Sequence, residues 1–274
     1  MSKSNQSAIT ITSRDNSLLR QARAVRDGKD ETLIFVEGLR LCEEALSSGL
    51  EIQAVIYSNE IAKKERAAAL LTELGKACER MGEVSESLLA MVSYTKTPQG
   101  MIVLARRPVS GKERLAAEKP RPHLIVIMDG INNPVNVGAI IRSAEAAGAT
   151  GVITTGDSSD PFSPKALRGA MGSAFRLPIW NGASYREAVA WCAEQQIKTV
   201  CTDVKAMKLH TEIDWHGPSA LILGSESTGL ATEQVEMAGA KVKIPMQGSV
   251  ESLNVGVAAA VILYEAARQR MANG

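Results

Sequence analysis

KVKIPMQGSVESLNVGVAAAVILYEAAR, residues 241–268, sets a short strand, a polar turn and a long apolar helix end to end. Lys241 to Met246 alternates charged and apolar side chains, the period of a half-exposed strand. Gln247 to Glu251 is rich in Gly and Ser and turns the chain. From Ser252 onward, Leu253, Val255, Val257, Ala258, Val261, Ile262, Tyr264 and Ala266 cover nearly the whole circumference of a helix. Such a helix is expected to be buried. In its first turn, where backbone N–H groups lack partners, stand Ser252 and Asn254. Ser252 reads equally as an N-cap and as a ligand-holding hydroxyl.

Working outward, the same strand-to-helix succession fills the second half of the chain. Leu124 to Met128 is a continuous apolar run, which suits a central parallel strand buried on both faces. Further strands are expected at 151–155, 199–202, 220–223 and 242–246. Helices are expected at 137–147, 164–175, 185–195 and from Ser252. Parallel sheets bind ligands at the carboxyl ends of their strands, so three loops matter. The first, DGINNPVNVGAIIR (129–142), carries Asn133-Pro134 as a turn, Asn136 as the expected N-cap, and Gly138 where a close approach is possible. Arg142 follows among small apolar residues. If buried it needs an anionic or carbonyl partner, the alternatives being a ligand or a structural ion pair with Glu145. The second, LGSESTGL (223–230), brackets small polar residues around Glu226 with two glycines and is expected to be floppy. It has no GxSxG frame, and the chain has no GxGxxG to cradle phosphates. The third loop is 244–254.

The front of the chain is a separate alternation. A basic helix is expected at 18–25, strands at 32–36, 54–57 and 100–105, and helices at 39–48 and 62–81, the last broken by Gly75. RRPVSGKERLAAEKPRP (106–122) has little to bury and reads as a linker. The expected division is 1–107, a smaller α/β domain with a basic N-terminal arm, then 108–122 as linker, and 123–274 as the second α/β domain. Lys3, Arg14, Arg20, Arg23, Arg26 and Lys29 outnumber Asp15 and Asp27 over the first 29 residues, although the whole chain carries a formal charge of only +1. The front is therefore the better candidate for touching phosphates.

At 274 residues with 45% hydrophobic content, the chain suits two soluble domains. The longest apolar run, Val257 to Tyr264, is short of a bilayer span, and MSKSNQSAIT lacks the apolar core of a signal peptide. A cytoplasmic location and no membrane partner are expected. Cys42, Cys78, Cys192 and Cys201 form no CxxC pair, and His123, His210 and His216 form no ligand cluster, so no metal is expected.

Taken in order and spacing, the three loops resemble the motifs of the SpoU/TrmH family of RNA 2′-O-ribose methyltransferases, within the SPOUT superfamily. The matching segments are NPVNVGAIIR (133–142), LILGSESTGL (221–230) and IPMQGSVESLNVGVAAA (244–260), with MGSAFRLPI (171–179) between them. At the front, ITSRDNSLLRQARAV, FVEGLRLCEEAL and TPQGMIVLA resemble the substrate-binding domain of rRNA members, which is similar to ribosomal proteins that bind kink-turns. The resemblance implies a trefoil-knotted parallel-sheet domain behind a smaller RNA-binding domain. It implies S-adenosyl-L-methionine as cofactor, contacted by Gly224, Ile244 and Leu253 with Met246 nearby. It assigns catalysis to Arg142, Asn136, Glu226, Ser252 and Asn254. An arginine is too basic for a literal general base, so Arg142 is expected to stabilise developing alkoxide charge and a substrate phosphate. The expected partners are RNA, with rRNA favoured over tRNA, and a second copy in a homodimer; DNA is not expected. The alternatives within this reading are a tRNA substrate and an inactive RNA-binding protein. The sequence departs from the family where Gly256 and Ser227 stand in place of a frequent Ser and Gly.

Overall fold

The computed structural model describes residues 8–78, 80–116 and 122–271. Lys3 of the basic arm and positions 117–121 of the expected linker lie outside them. In chain order the elements are β1 (Ile9–Ile11), α1 (Ser17–Arg26), β2 (Leu33–Glu37), α2 (Leu39–Ser47), β3 (Ile52–Ser58), α3 (Asn59–Ala62), α4 (Glu65–Ala77), β4 (Met81–Val84), α5 (Glu86–Val92), β5 (Met101–Arg106) and α6 (Lys112–Ala116). There follow β6 (Leu124–Asp129), α7 (Pro134–Ala146), β7 (Gly151–Thr155), α8 (Pro164–Ala170), α9 (Ser173–Arg176), β8 (Ile179–Ala183), α10 (Tyr185–Glu194), β9 (Lys198–Thr202), β10 (Ser219–Leu223), α11 (Thr232–Met237), β11 (Ala240–Val242) and α12 (Val255–Met271).

The chain forms two compact units, one of residues 1–108 with 162–175, the other of 109–161 with 176–274. The first holds a five-stranded sheet in the order β1-β4-β3-β5-β2, in which β5 runs antiparallel to both neighbours. Its core packs Leu19, Ala22 and Val25 of α1 against Phe35, Ile56 and Leu104 of the sheet and Leu89 of α5. Strand β4 was not expected, because MGEV carries neither alternation nor β-branched density. It pairs in parallel with β1 and β3. Its Gly82 leaves room for α1 and β1, since a Cβ there would lie 2.5 Å from Ile11 Cδ1 and push that methyl aside. The helix expected to run to Met81 therefore ends at Ala77, and Gly75 lies inside it without breaking it.

The second unit holds a six-stranded, wholly parallel sheet in the order β11-β9-β10-β6-β7-β8. Every residue of Leu124 to Met128 is fully buried, as the uninterrupted apolar run requires of a strand between β10 and β7. The fold is thus mixed α/β, a parallel-sheet unit with a smaller N-terminal one. Within the expected linker, α6 forms and buries Leu115 against Ile125 and Ile153. β8, with Asn181 and Gly182 interrupting it, was also unexpected. Residues 164–175 are two short helices rather than one, separated by Met171 in the left-handed region at φ 49°.

The C-terminal stretch needs two corrections. The strand stops at Val242 instead of running to Met246, after one further bridge between Lys243 and Leu209. The helix starts at Val255, not Ser252, and it is not buried all round: Val257, Val261 and Tyr264 are exposed on one stripe. Among the described residues, no helix is long and apolar enough to cross a membrane.

Candidate active site

The carboxyl end of β6 leads through residues 130–133 into α7. Asn133, not Asn136, caps this helix: its Oδ1 accepts from the Val135 amide at 3.0 Å, and Pro134 occupies the first helical position, where no amide hydrogen is needed. Asn136 is thereby freed for other work and is buried. Its Nδ2 donates to Glu226 Oε1 at 2.7 Å, and its Oδ1 accepts from Asn254 Nδ2 at 3.2 Å. Asn254 Oδ1 in turn accepts from the Gly256 and Val257 amides at 3.0 and 3.4 Å, capping α12.

The capping bonds fix the orientation of the whole chain of amides. A helix N-terminus offers only donors, so Asn254 must turn its oxygen to it and its nitrogen to Asn136. Asn136 is then left with a nitrogen to hold the Glu226 carboxylate. Three of the five expected catalytic residues are connected in this way, across sequence separations of 90 and 118. The Gly256 departure is tied to the same cap: a Cβ there would lie 3.2 Å from Asn254 Oδ1 and 3.6 Å from Ala139 Cβ, tighter than ordinary contact with the first.

The second loop is not floppy. The Gly229 amide donates to the Ser225 carbonyl at 3.0 Å, the Thr228 amide to Ser225 Oγ at 3.3 Å, and Gly229 takes φ 65° to close the turn. Gly224 lies where the chain comes back upon itself. A Cβ on it would sit 2.6 Å from the Gly229 carbonyl carbon and the Leu230 nitrogen. Gly130 of the first loop is adjacent, since its Cβ would lie 3.4 Å from Ser225 Cβ.

The third loop has a different character. From Ile244 to Leu253 the main chain pairs with no strand or helix and forms only a turn at 248–249; Ile244, Met246 and Leu253 are half-buried and the rest of the run is exposed. Main-chain amides and carbonyls that are not tied into a ladder stay free to bond water or a ligand. This run can therefore hold a ligand through its backbone, as fits a cofactor with no phosphate to cradle.

Two expected residues stand outside the network. Ser252 is exposed and caps nothing. Arg142 is exposed as well, with no hydrogen bond or ion pair among the described residues, which removes the premise of a buried guanidinium. Glu145 does not pair with it; the Glu145 carboxylate is gripped by Arg176 through Nε and Nη2 at 2.7 and 2.9 Å. At 3.6 residues per turn, Arg142 lies about a third of the way round α7 from Asn136.

Asp129 was missed. It ends β6, accepts from Thr155 Oγ1 at the end of β7, and accepts from Gln234 Nε2 of α11 at 2.9 Å. An acid directly after a fully apolar strand was the available signal, because such a group has to be satisfied by neighbouring strand ends.

Residues 123–264 match the model described as the SpoU rRNA Methylase family. The chain belongs to that family. Residues 17–103 match an MRM3-like substrate binding domain, which covers most of the first sheet. This SpoU methylase is 30% identical to the 23S rRNA (uridine(2479)-2′-O)-methyltransferase of Streptomyces viridochromogenes, over 96% of this chain and 93% of that one. It is 30% identical to the 23S rRNA (guanosine(2553)-2′-O)-methyltransferase RlmP of Bacillus subtilis, over 93% and 97%. Among solved structures, an AdoMet-bound rRNA methyltransferase from Sinorhizobium meliloti superposes with a TM-score of 0.81 at 29% identity, covering 95% of this chain and 98% of that one. The SpoU methyltransferase AviRb from Streptomyces viridochromogenes, in complex with AdoMet, gives 0.82 at 29% identity, covering 93% and 98%. S-adenosylmethionine is thus the cofactor of this SpoU methylase, in keeping with the backbone of its third loop, which pairs with no strand or helix.

Proposed function

We propose that this protein methylates the 2′-oxygen of a ribose in ribosomal RNA of the 23S class, in the cytoplasm. The observation that carries the reading is the Asn254–Asn136–Glu226 chain of hydrogen bonds, which joins the three motif loops. Bound S-adenosylmethionine supplies an electrophilic sulfonium methyl. Main-chain groups of Ile244, Met246 and Leu253, with the glycine crossing at Gly224, are the residues that would hold it. Glu226 is kept in one orientation by Asn136, so its second oxygen is available to the ribose hydroxyl. Positioning of this kind accounts for most of the work in a displacement that needs no covalent enzyme intermediate. Arg142 and Ser252 face solvent and are assigned to the RNA phosphate and the developing alkoxide.

Residues 123–274 carry the transfer in this reading, and residues 1–107 bind the RNA. The active form is a homodimer. Val257, Val261 and Tyr264 recur at helical spacing on α12, with Val257 49% and Tyr264 56% exposed. α12 packs on α7, whose Val135 and Arg142, seven residues apart, share an exposed face. A dimer built on that stripe covers it and brings Arg142 to the interface. Sedimentation of an active, stable monomer would remove this part of the proposal.

The test of the reaction is incubation with methyl-labelled cofactor and total RNA from cells lacking the protein, followed by alkaline hydrolysis. Label is expected in alkali-resistant dinucleotides, because a methylated 2′-oxygen cannot attack the neighbouring phosphate. Label in mononucleotides only would place the methyl on a base and refute the proposal.

A further inference from the structure

In the N-terminal unit, the segment joining α5 to β5, residues 93–100, is anchored at its start by two charged side chains. The Arg26 guanidinium, through Nη1, donates toward the carbonyls of Met91, Val92 and Ser93 at 3.1, 3.1 and 3.4 Å, closing the end of α5. From the very next residue, Glu37 takes over. Its carboxylate, only 8% exposed at the end of β2, accepts from the Tyr94 and Thr95 amides at 2.9 and 3.2 Å and from Thr95 Oγ1 at 2.7 Å. Gly38, at φ 106°, brings the start of α2 against the same loop: a Cβ on it would lie 3.4 Å from Gln99 Cβ.

A buried carboxylate and a guanidinium spent on holding one surface turn are a large investment in the shape of that turn. What the turn presents is an aromatic ring and a cation two residues apart, Tyr94 at 43% exposure and the exposed Lys96. Directly before them, the Ser93 hydroxyl is buried with no hydrogen-bond partner among the described residues.

We infer that residues 93–99 form a binding site for an unpaired RNA nucleotide. The base stacks on Tyr94 and the phosphate pairs with Lys96. Stacking on an aromatic side chain together with a neighbouring cation is how single-stranded RNA is held with little sequence preference. Glu37 and Arg26 are positioning residues, since they touch the loop and not the nucleotide. The inference rests on the RNA substrate proposed above and names the surface that receives it.

The experiment uses the full chain and two probes, deproteinised 23S rRNA and a labelled ten-nucleotide RNA of mixed sequence, with S-adenosylmethionine titrated calorimetrically in parallel. Tyr94→Ala is expected to weaken RNA binding roughly 5- to 150-fold, the loss of one stacked base, while Tyr94→Phe stays near wild type. Lys96→Ala is expected to lower the slope of log affinity against log salt by about 0.7, one phosphate contact on a single strand. Glu37→Ala leaves the Tyr94 and Thr95 amides without their acceptor, and is expected to reduce RNA affinity with Tyr94 and Lys96 intact. All four variants should keep the wild-type heat of S-adenosylmethionine binding. Wild-type RNA affinity and salt slope in Tyr94→Ala and Lys96→Ala would overturn the inference and leave the reaction untouched. Absence of any S-adenosylmethionine heat in the wild type would instead remove the proposed function.

Discussion

Replacing Gly224 by alanine tests whether the second loop is built as a tight crossing that the cofactor site depends on. The added Cβ would lie 2.6 Å from two backbone atoms, the Gly229 carbonyl carbon and the Leu230 nitrogen, and 2.9 Å from Leu230 Cγ, about 0.8 Å inside the 3.4 Å at which ordinary contact begins. A side chain could swing away from such an overlap, but backbone cannot, so residues 229–230 must shift by most of an ångström. Overpacking that moves backbone costs about 1–3 kcal/mol. Alanine recovers about 0.4–1 kcal/mol by restricting the unfolded chain. The net loss is about 1–2 kcal/mol, or a fall in melting temperature of roughly 3–8 °C. The larger effect is expected on the ligand, because a misplacement near 1 Å in a positioned site costs on the order of 100-fold.

Gly148→Ala is the control. Its φ of 81° makes alanine strained, but no atom lies within 4 Å of the new Cβ, so it loses about 1–2 kcal/mol of stability without disturbing the loop. Calorimetry with S-adenosylmethionine and thermal unfolding of both variants would separate the effects. Gly224→Ala should bind at least tenfold more weakly than Gly148→Ala at similar stability. Cofactor binding by Gly224→Ala within twofold of wild type would refute the reasoning, since the crossing would then be either loose or irrelevant to the site.

Three further outcomes are expected. Asn254→Ala removes the cap of α12, costing about 0.5–2 kcal/mol, and leaves Asn136 unanchored; methyl transfer should fall at least tenfold with cofactor affinity nearly kept, as followed by single-turnover transfer of labelled methyl. Arg270→Met strands the carbonyls of Trp215, Pro122, His123 and Gly217, which the guanidinium now satisfies at 2.7–3.0 Å. Denaturant titration should show a loss of about 3 kcal/mol, since hydrogen bonds to charged groups are worth about 1.5–3 kcal/mol. The third concerns acid. The Arg268 guanidinium, and then the Gln269 amide, hold the Glu265 carboxyl down to about 2 from an ordinary 4.5. A depressed carboxyl contributes stability above its unfolded value, and that contribution is lost as pH falls through the folded one. The melting temperature of Glu265→Gln should therefore fall less steeply than wild type between pH 4.5 and 2, and equal slopes would assign acid lability elsewhere.

Much of the site could be read because its chemistry sits where elementary rules put it. The run Leu124 to Met128 has to be a central strand, as only burial on both faces tolerates five apolar side chains in succession. The polar loops after such strands then have to lie together at one edge of the sheet. Less legible were the strands with weak patterns, Met81–Val84 and Ile179–Ala183, whose place is given by pairing with neighbours remote in the chain. Asn136 illustrates the limit within the site itself. Its residue type and position announced an N-cap, and Asn133, three residues earlier, took that role.

By itself the sequence determined the alternation of strands and helices, the parallel character of the second sheet, and the three polar loops that carry the family motifs. The alternation and the loops follow from local periodicity and turn chemistry, which each short segment carries alone; which of their residues react is what the family resemblance implies. Tertiary structure decided the rest: that Asn254, Asn136 and Glu226 join in one oriented chain, that Arg142 faces outward, that Val257, Val261 and Tyr264 lie on an open stripe of α12, and that Glu37 and Arg26 shape a distant turn. Each of these depends on which way a side chain points once its helix has been rolled against a partner. A helix apolar all the way round contains no information about that roll until the sheet beneath it is in place.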